Sequence, residues 1–235
     1  MQTPIDTDDE RETLAMAAAE VVDCMRVLTK SGSNLVAEVL AGGEFIQHDH
    51  YPPNDVFDPD SQAQYYFHAH PPERGTWNDY GHFHLFMRGN GLGEGVTPAE
   101  LSFPQPSREM TDNICHLIAI SMDRAGRPVR LFTTNRWVTA ETWFEAQDVV
   151  GMFDRFVVDL SRPSWPLNRW LTAMVVLYRR QIEELIAARD LAVAAHQAAH
   201  PHSDAFEDRA LEVTSGIDIH LEDRLTEIRI MLGME

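Results

Sequence analysis

Between Asp8 and Lys30 the apolar residues Leu14, Ala18, Val21, Met25 and Leu28 recur at intervals of three and four, which predicts an amphipathic helix. Ser31-Gly32-Ser33 closes it. A short second helix is predicted from Asn34 to Leu40, ended by Gly42-Gly43. The pattern then changes: Glu44-Phe45-Ile46-Gln47 predicts a strand end, and Pro52, Pro53, Asp55, Asp58, Pro59 and Asp60 mark an acidic loop. Two aromatic runs with strand character follow, Tyr65-Tyr66-Phe67-His68-Ala69-His70 and His82-Phe83-His84-Leu85-Phe86-Met87. The segment between them, Pro71 to Gly81, is too long for a tight turn and predicts a rim or lid. Gly89 to Gly95 lacks the lysine and hydroxyl residues of a phosphate-binding loop and predicts a plain turn.

Ile114 to Met122 and Val129 to Thr134 are apolar strand-like runs joined by a turn at Asp123 to Pro128. Thr139, with Glu141 close behind, predicts the N-cap of a helix running to about Asp148, and a further helix to Asp159. Beyond Pro166 two stripes at helical spacing appear. Leu167, Leu171, Met174, Tyr178, Ile182 and Leu185 form the first, and Val213, Ile217, Leu221, Leu225, Ile228 and Leu232 the second. The expected fold is α+β: an antiparallel sheet of about four or five strands, an N-terminal helix and a long C-terminal helical hairpin. Residues 1–160 would hold the helix and the sheet, and residues 161–235 the hairpin, packed on the sheet or on a second copy of the chain as a homodimer.

Composition narrows the partners. The 235 residues are 44% hydrophobic and 24% charged, ordinary values for a globular protein, but the net charge is -18. A field of that sign repels phosphate backbones and anionic headgroups, which argues against nucleic-acid and membrane-surface binding. Cys24 and Cys115 are far apart and form no thiolate metal motif. Nothing reads as a signal peptide or a membrane span, so a cytoplasmic location is expected.

The candidate chemistry lies in the histidines. Three His-x-His pairs, His48-Asp49-His50, His68-Ala69-His70 and His82-Phe83-His84, fall within one short stretch. Side chains alternate along a strand, so each pair on a strand aims two imidazoles from one face. A hairpin centred near Thr76 would set His70 opposite His82 and His68 opposite His84, with opposed Cβ atoms about 4.5 to 5.5 Å apart. Four imidazoles would then converge. His68, His70, His82 and His84 are therefore the expected ligands of a divalent metal ion, for which zinc, iron and copper all suit imidazole. The same face gains Gln64, Tyr66, Phe86 and Arg88, while Tyr65, Phe67, Phe83, Leu85 and Met87 form the core face.

Glu73 and Asp79 are the nearest carboxylates, able to orient an imidazole or move a proton, and Arg88 could hold an anionic group of a small-molecule substrate. His116 reads either as a ligand from a third strand or as a core histidine. His48 and His50 have no assigned role. His196, His200 and His202 read as exposed residues at a helix C-terminus. Asn135 and Arg136 either reach the pocket or stabilise a structural corner.

The strings Tyr65-Tyr66-Phe67-His68-Ala69-His70, Gly81-His82-Phe83-His84-Leu85-Phe86 and Leu131-Phe132-Thr133-Thr134-Asn135-Arg136-Trp137-Val138-Thr139 resemble an uncharacterised bacterial protein family. That resemblance implies no activity. His82-Phe83-His84 with one more strand histidine is similar in geometry to the three-histidine zinc site of α-type carbonic anhydrases, although the rest of that fold has no counterpart here. The glutamate and final-histidine spacing of cupins is also missing. The function expected is that of a metal-dependent enzyme on a small molecule, hydrolytic or oxygen-using. The alternative is a non-catalytic metal-binding or assembly protein.

Overall fold

The first helix, α1 (Asp8–Lys30), begins where expected because Thr7 accepts a hydrogen bond from the Glu10 amide, and Asp8, Asp9 and Glu10 complement the helix dipole. This is seen in a computed structural model that describes residues 7–43, 45–70, 79–105 and 108–234. Asn34 caps the short α2 (Leu35–Leu40) in the same way. Among the described residues there are seven α-helices and one six-stranded antiparallel sheet. The strands are β1 (Tyr51–Phe57), β2 (Ala63–His68), β3 (Gly81–Arg88), β4 (Ile114–Met122), β5 (Pro128–Thr134) and β6 (Val213–Asp218), and they lie in sequence order. The α+β class and the antiparallel sheet therefore hold, with more strands than the pattern suggested.

Two strands depart from the sequence reading. The first part of the proline-rich segment, Tyr51–Phe57, is β1 rather than loop, because it lies at the sheet edge, where a missing N–H leaves no inner partner unpaired, and the expected loop is confined to the turn at residues 58–62. The expected strand end at Glu44 to Gln47 is not one: residues 45–50 are irregular with a turn at Gln47-His48, and Glu44 lies outside the described residues. At the other end Val213 and Ile217, read as the start of a helical stripe, belong to β6 and pair with β5. Only Leu221 onward is helical, as α7 (Leu221–Met231). The first C-terminal stripe divides at Tyr178 into α5 (Trp165–Leu177) and α6 (Arg179–Ala199).

One face of the sheet is the main core. Tyr65, Phe67, Phe83, Leu85 and Met87 are all fully buried there, each contributing about 1.5 to 3 kcal/mol by leaving water. Trp170 of α5 packs on Phe83, and the Tyr65 hydroxyl donates to Asn168 Oδ1 at 2.6 Å, fixing α5 to β2. Glu20 and Glu10 of α1 pair with Arg169 and Arg180 outside this layer.

After β5 the expected helix start at Thr139 is instead a helix end. Asn135 caps the single-turn α3 (Arg136–Thr139), and Ala140 turns left-handed. That turn carries Glu141 into the interior, where it accepts the His116 amide at 2.7 Å. The next helix, α4 (Ala146–Met152), starts later and ends in a tight turn, with no helix continuing to Asp159.

Candidate metal centre

Strands β2 and β3 set the histidines by their register. His68 lies opposite His82 and Tyr66 opposite His84, two residues from the expected pairing of His68 with His84 and His70 with His82. A slip of two keeps every side chain on its face, so the histidine face survives the correction. Gly81 fixes this register. A Cβ at Gly81 would overlap the Phe67 ring and come 2.7 Å from the His68 carbonyl oxygen, so only glycine lets Phe67 lie across that point.

His68, His82 and His84 form one group whose ligand nitrogens all lie within 4.8 Å of one another. All three are buried, at 8%, 6% and 1% exposure. His70, the fourth expected ligand, stands beside the group with its ring 4.7 Å from that of His68 and 5.4 Å from that of His82. Tyr66 lies over the group, 5.2 Å from His68 and 5.1 Å from His84, and stacks on Phe86. Phe132 of β5 closes another side against His82.

Two of the three rings, those of His82 and His84, are held from behind. Asp79 Oδ2 takes the Nδ1 hydrogen of His82 at 3.2 Å and the Ser121 hydroxyl at 2.7 Å. This is the carboxylate–histidine arrangement that leaves Nε2 bare for a metal. Burial works to raise the Asp79 pKa, and the bonds from His82 and Ser121 outweigh it, so the carboxyl sits below its ordinary range. His84 Nδ1 lies 3.0 Å from His116 Nε2. One of these two nitrogens carries the hydrogen between them. His84 Nε2 is then the remaining nitrogen, buried and with no hydrogen-bond partner.

The closest contact within the group is 2.8 Å, between His68 Nε2 and His82 Nε2. Two bare lone pairs repel at that distance, so one of the two nitrogens carries a hydrogen between them. A cation shared by the three nitrogens would take the place of that hydrogen. Tetrahedral zinc at about 2.0 to 2.1 Å per bond needs its nitrogens about 3.3 Å apart, a small parting of the rings. Burial drives the pKa of His68 and His84 down, and nearby imidazoles add to this, so the rings are neutral and able to ligate.

His116 reaches this face through a bulge. Ser121 and Ala119 oppose His82 and His84, and strict alternation would turn residue 116 toward the core. One extra residue in β4, between the pairs Leu85–Ile118 and Phe86–His116, restores it to the histidine face. Nothing in the local pattern announces that bulge, which is why the role of His116 behind His84 was not legible.

Of the candidate catalytic residues, Asp79 meets the group and Arg88 does not. Arg88 donates to Gln64 Oε1 at 3.0 Å and lies over Phe57. Gln64 in turn bonds Asp55, which holds His50 Nδ1 at 2.9 Å, and His50 stacks on Tyr66 with centroids 3.7 Å apart. His48 touches His70, ring to ring at 5.2 Å. Glu73, Thr76 and Trp77 lie outside the described residues. Asn135 and Arg136 take the structural-corner role: Asn135 donates to the Ala205 carbonyl, and Arg136 pairs with Asp204 and Glu207. His196 bonds Asp208, and its ring lies 4.4 Å from His200.

Fold and site together define an α+β protein whose six-stranded antiparallel sheet carries a buried three-histidine group that could hold a metal ion. By sequence the chain belongs to the family described as Domain of unknown function (DUF6969), whose model matches residues 15–219. No curated protein and no solved structure matches it. Among the described residues no helix is long and apolar enough to cross a membrane.

Proposed function

We propose that this chain is a mononuclear metal-dependent enzyme acting on a small molecule, with His68, His82 and His84 as ligands of a divalent ion. The observation that carries the reading is His84 Nε2, a buried nitrogen with no partner, in a ring whose other nitrogen is already engaged. Leaving such an atom unsatisfied costs about 1 to 3 kcal/mol, and a metal bond removes the cost. Three imidazoles with no thiolate match the ligand set of catalytic zinc, and three ligands leave a coordination position for water or substrate. The set lacks the carboxylate of the common ferrous-iron triad, so zinc is favoured over iron and hydrolysis or hydration over oxygen chemistry.

Held by His68, His82 and His84, a divalent ion would supply Lewis acidity for a carbonyl and would lower the pKa of a bound water to about 7. The chain does the rest. Asp79 and His116 fix the tautomers and aim of His82 and His84, Ser121 holds Asp79, and Tyr66, Phe86 and Phe132 exclude bulk water. The second reading, a non-catalytic metal-binding or assembly protein, draws on His70. If its ring turned in as a fourth ligand the centre would be closed, as in structural sites.

Elemental analysis of protein purified without a histidine tag, followed by cobalt substitution, tests both. Near-stoichiometric metal and a cobalt spectrum that changes on adding azide support the enzyme. A spectrum insensitive to azide but altered by His70→Ala supports the binder. No uptake of zinc, iron or copper overturns the centre.

A further inference from the structure

We propose that the cleft beside the histidine group is its substrate chamber and that it takes a small organic cation, an amine or a guanidine on a short carbon chain. This rests on the enzyme reading for its link to chemistry, but not for the binding itself.

The register of the sheet supplies the geometry. His68 pairs with His82, His82 with Ser121, Ser121 with Arg130 and Arg130 with Asp218, so these residues form one row across β2 to β6 on the same face. The first two belong to the histidine group. The last three line a cleft of about 1080 Å³, large enough for a small metabolite. Neighbouring strands lie about 4.8 Å apart, so Ser121 is one strand spacing from His82 and Arg130 about 10 Å away. Asp79 joins the two regions, since its carboxylate bonds His82 and Ser121 while it also lines the cleft. A ligand in the cleft therefore lies against the wall that holds a metal ligand in place.

The lining sets the ligand class. Five carboxylates, those of Asp79, Asp123, Asp218, Glu222 and Asp223, share the lining with two guanidiniums, Arg127 and Arg130. Arg130 is bound to Asp218 at 2.8 Å and lies flat over Gly216, where a Cβ would come 2.9 Å from its Nη2. It is held to the sheet rather than reaching for an incoming anion. The N-terminus of α7, which would otherwise favour an anion, already has Glu222 and Asp223 in its first turn. A walled cleft of this sign concentrates cations and repels carboxylates and phosphates, and the net charge of -18 extends the bias. Met25, Val129, Ile219 and Leu221 add apolar wall for methylene groups.

The test uses the full chain as isolated, with 1,4-diaminobutane and succinate as probes of equal carbon length and opposite charge, followed by calorimetry and protein-observed NMR. Diaminobutane should bind saturably, shift Ser121 and its neighbours, and lose at least tenfold in affinity in the Glu222→Gln/Asp223→Asn double variant, whose changes are exposed and leave the fold intact. Binding of succinate instead, binding of neither probe, or diaminobutane affinity unchanged in the double variant would overturn the proposal. The two readings separate cleanly. Diaminobutane binding retained in a His68/His84 double variant that holds no metal upholds the cleft while the metal centre is examined alone, whereas full metal occupancy without diaminobutane binding removes the cleft alone.

Discussion

His84 Nδ1 is hydrogen-bonded to His116 Nε2 across 3.0 Å, so a residue of β4 engages one nitrogen of a residue of β3 and leaves the other to the histidine group. Removing that partner frees the His84 ring to turn or change tautomer. His116→Leu should keep the fold, since it is a similar-sized apolar residue, and should weaken metal binding by about 10- to 100-fold. Competition with a chelator measures this. Unchanged affinity would show that the contact is packing alone.

Substituting His68 and His84 together removes two of the three nitrogens. The double alanine variant should lose stoichiometric metal while circular dichroism still reports the folded sheet. Full occupancy in that variant would sink the ligand assignment.

Glu141 gives a pH signature of its own. Burial, partly offset by Arg189 and the His116 amide, raises its pKa from 4.5 to about 7. The folded chain thus holds this proton more tightly than the unfolded chain. The stability it contributes is complete below pH 4.5 and is lost as pH rises through about 7. Relative to Glu141→Gln, the wild type should lose about 3 kcal/mol between those limits, read from urea melts. A constant difference between the two proteins would disprove it.

The buried histidines act with the opposite sign. Burial pushes His68, His84 and His116 below their ordinary value of 6.5, so unfolding lets each take up a proton in mild acid. Their contribution is present above pH 6.5 and is lost as pH falls toward the lowered folded values. The urea midpoint of metal-free protein should therefore drop between pH 7 and pH 5, three groups outweighing Glu141. A midpoint that rises over that interval would contradict the neutral cluster.

Gly81 is the register test. Gly81→Val forces a side chain into the Phe67 ring and the His68 carbonyl, costing about 1 to 3 kcal/mol in strain. Both stability and metal affinity should fall together. A stable variant with intact metal binding would free the register from Gly81.

Local pattern revealed what local forces decide. The 3.6-residue period of α1, the turn between β4 and β5, and the two faces of β2 and β3 were all readable, because alternation and turn chemistry act over a few residues. The convergence of His68, His82 and His84 followed from that alternation despite the two-residue error in register. What escaped depended on distant partners. Val213 and Ile217 fit a helical stripe as well as a strand, and only pairing with β5 decides between them. His116 needed a bulge, and Glu141 left its expected helix to reach an amide in β4. The cleft formed by β4, β5, β6 and α7 has no signature in any single segment.

The prolines of β1 have one more consequence. β1 is an outer strand, and it pairs with β2 only at Tyr51, Val56 and Phe57. Between these points Pro52 and Pro53 have no N–H, and Asn54 and Asp55 bend the backbone into the left-handed region. A second chain therefore finds no continuous ladder to extend on that side. Unbroken edge strands invite sheet-to-sheet pairing between copies of a chain, and the irregular β1 works against such pairing along its own edge.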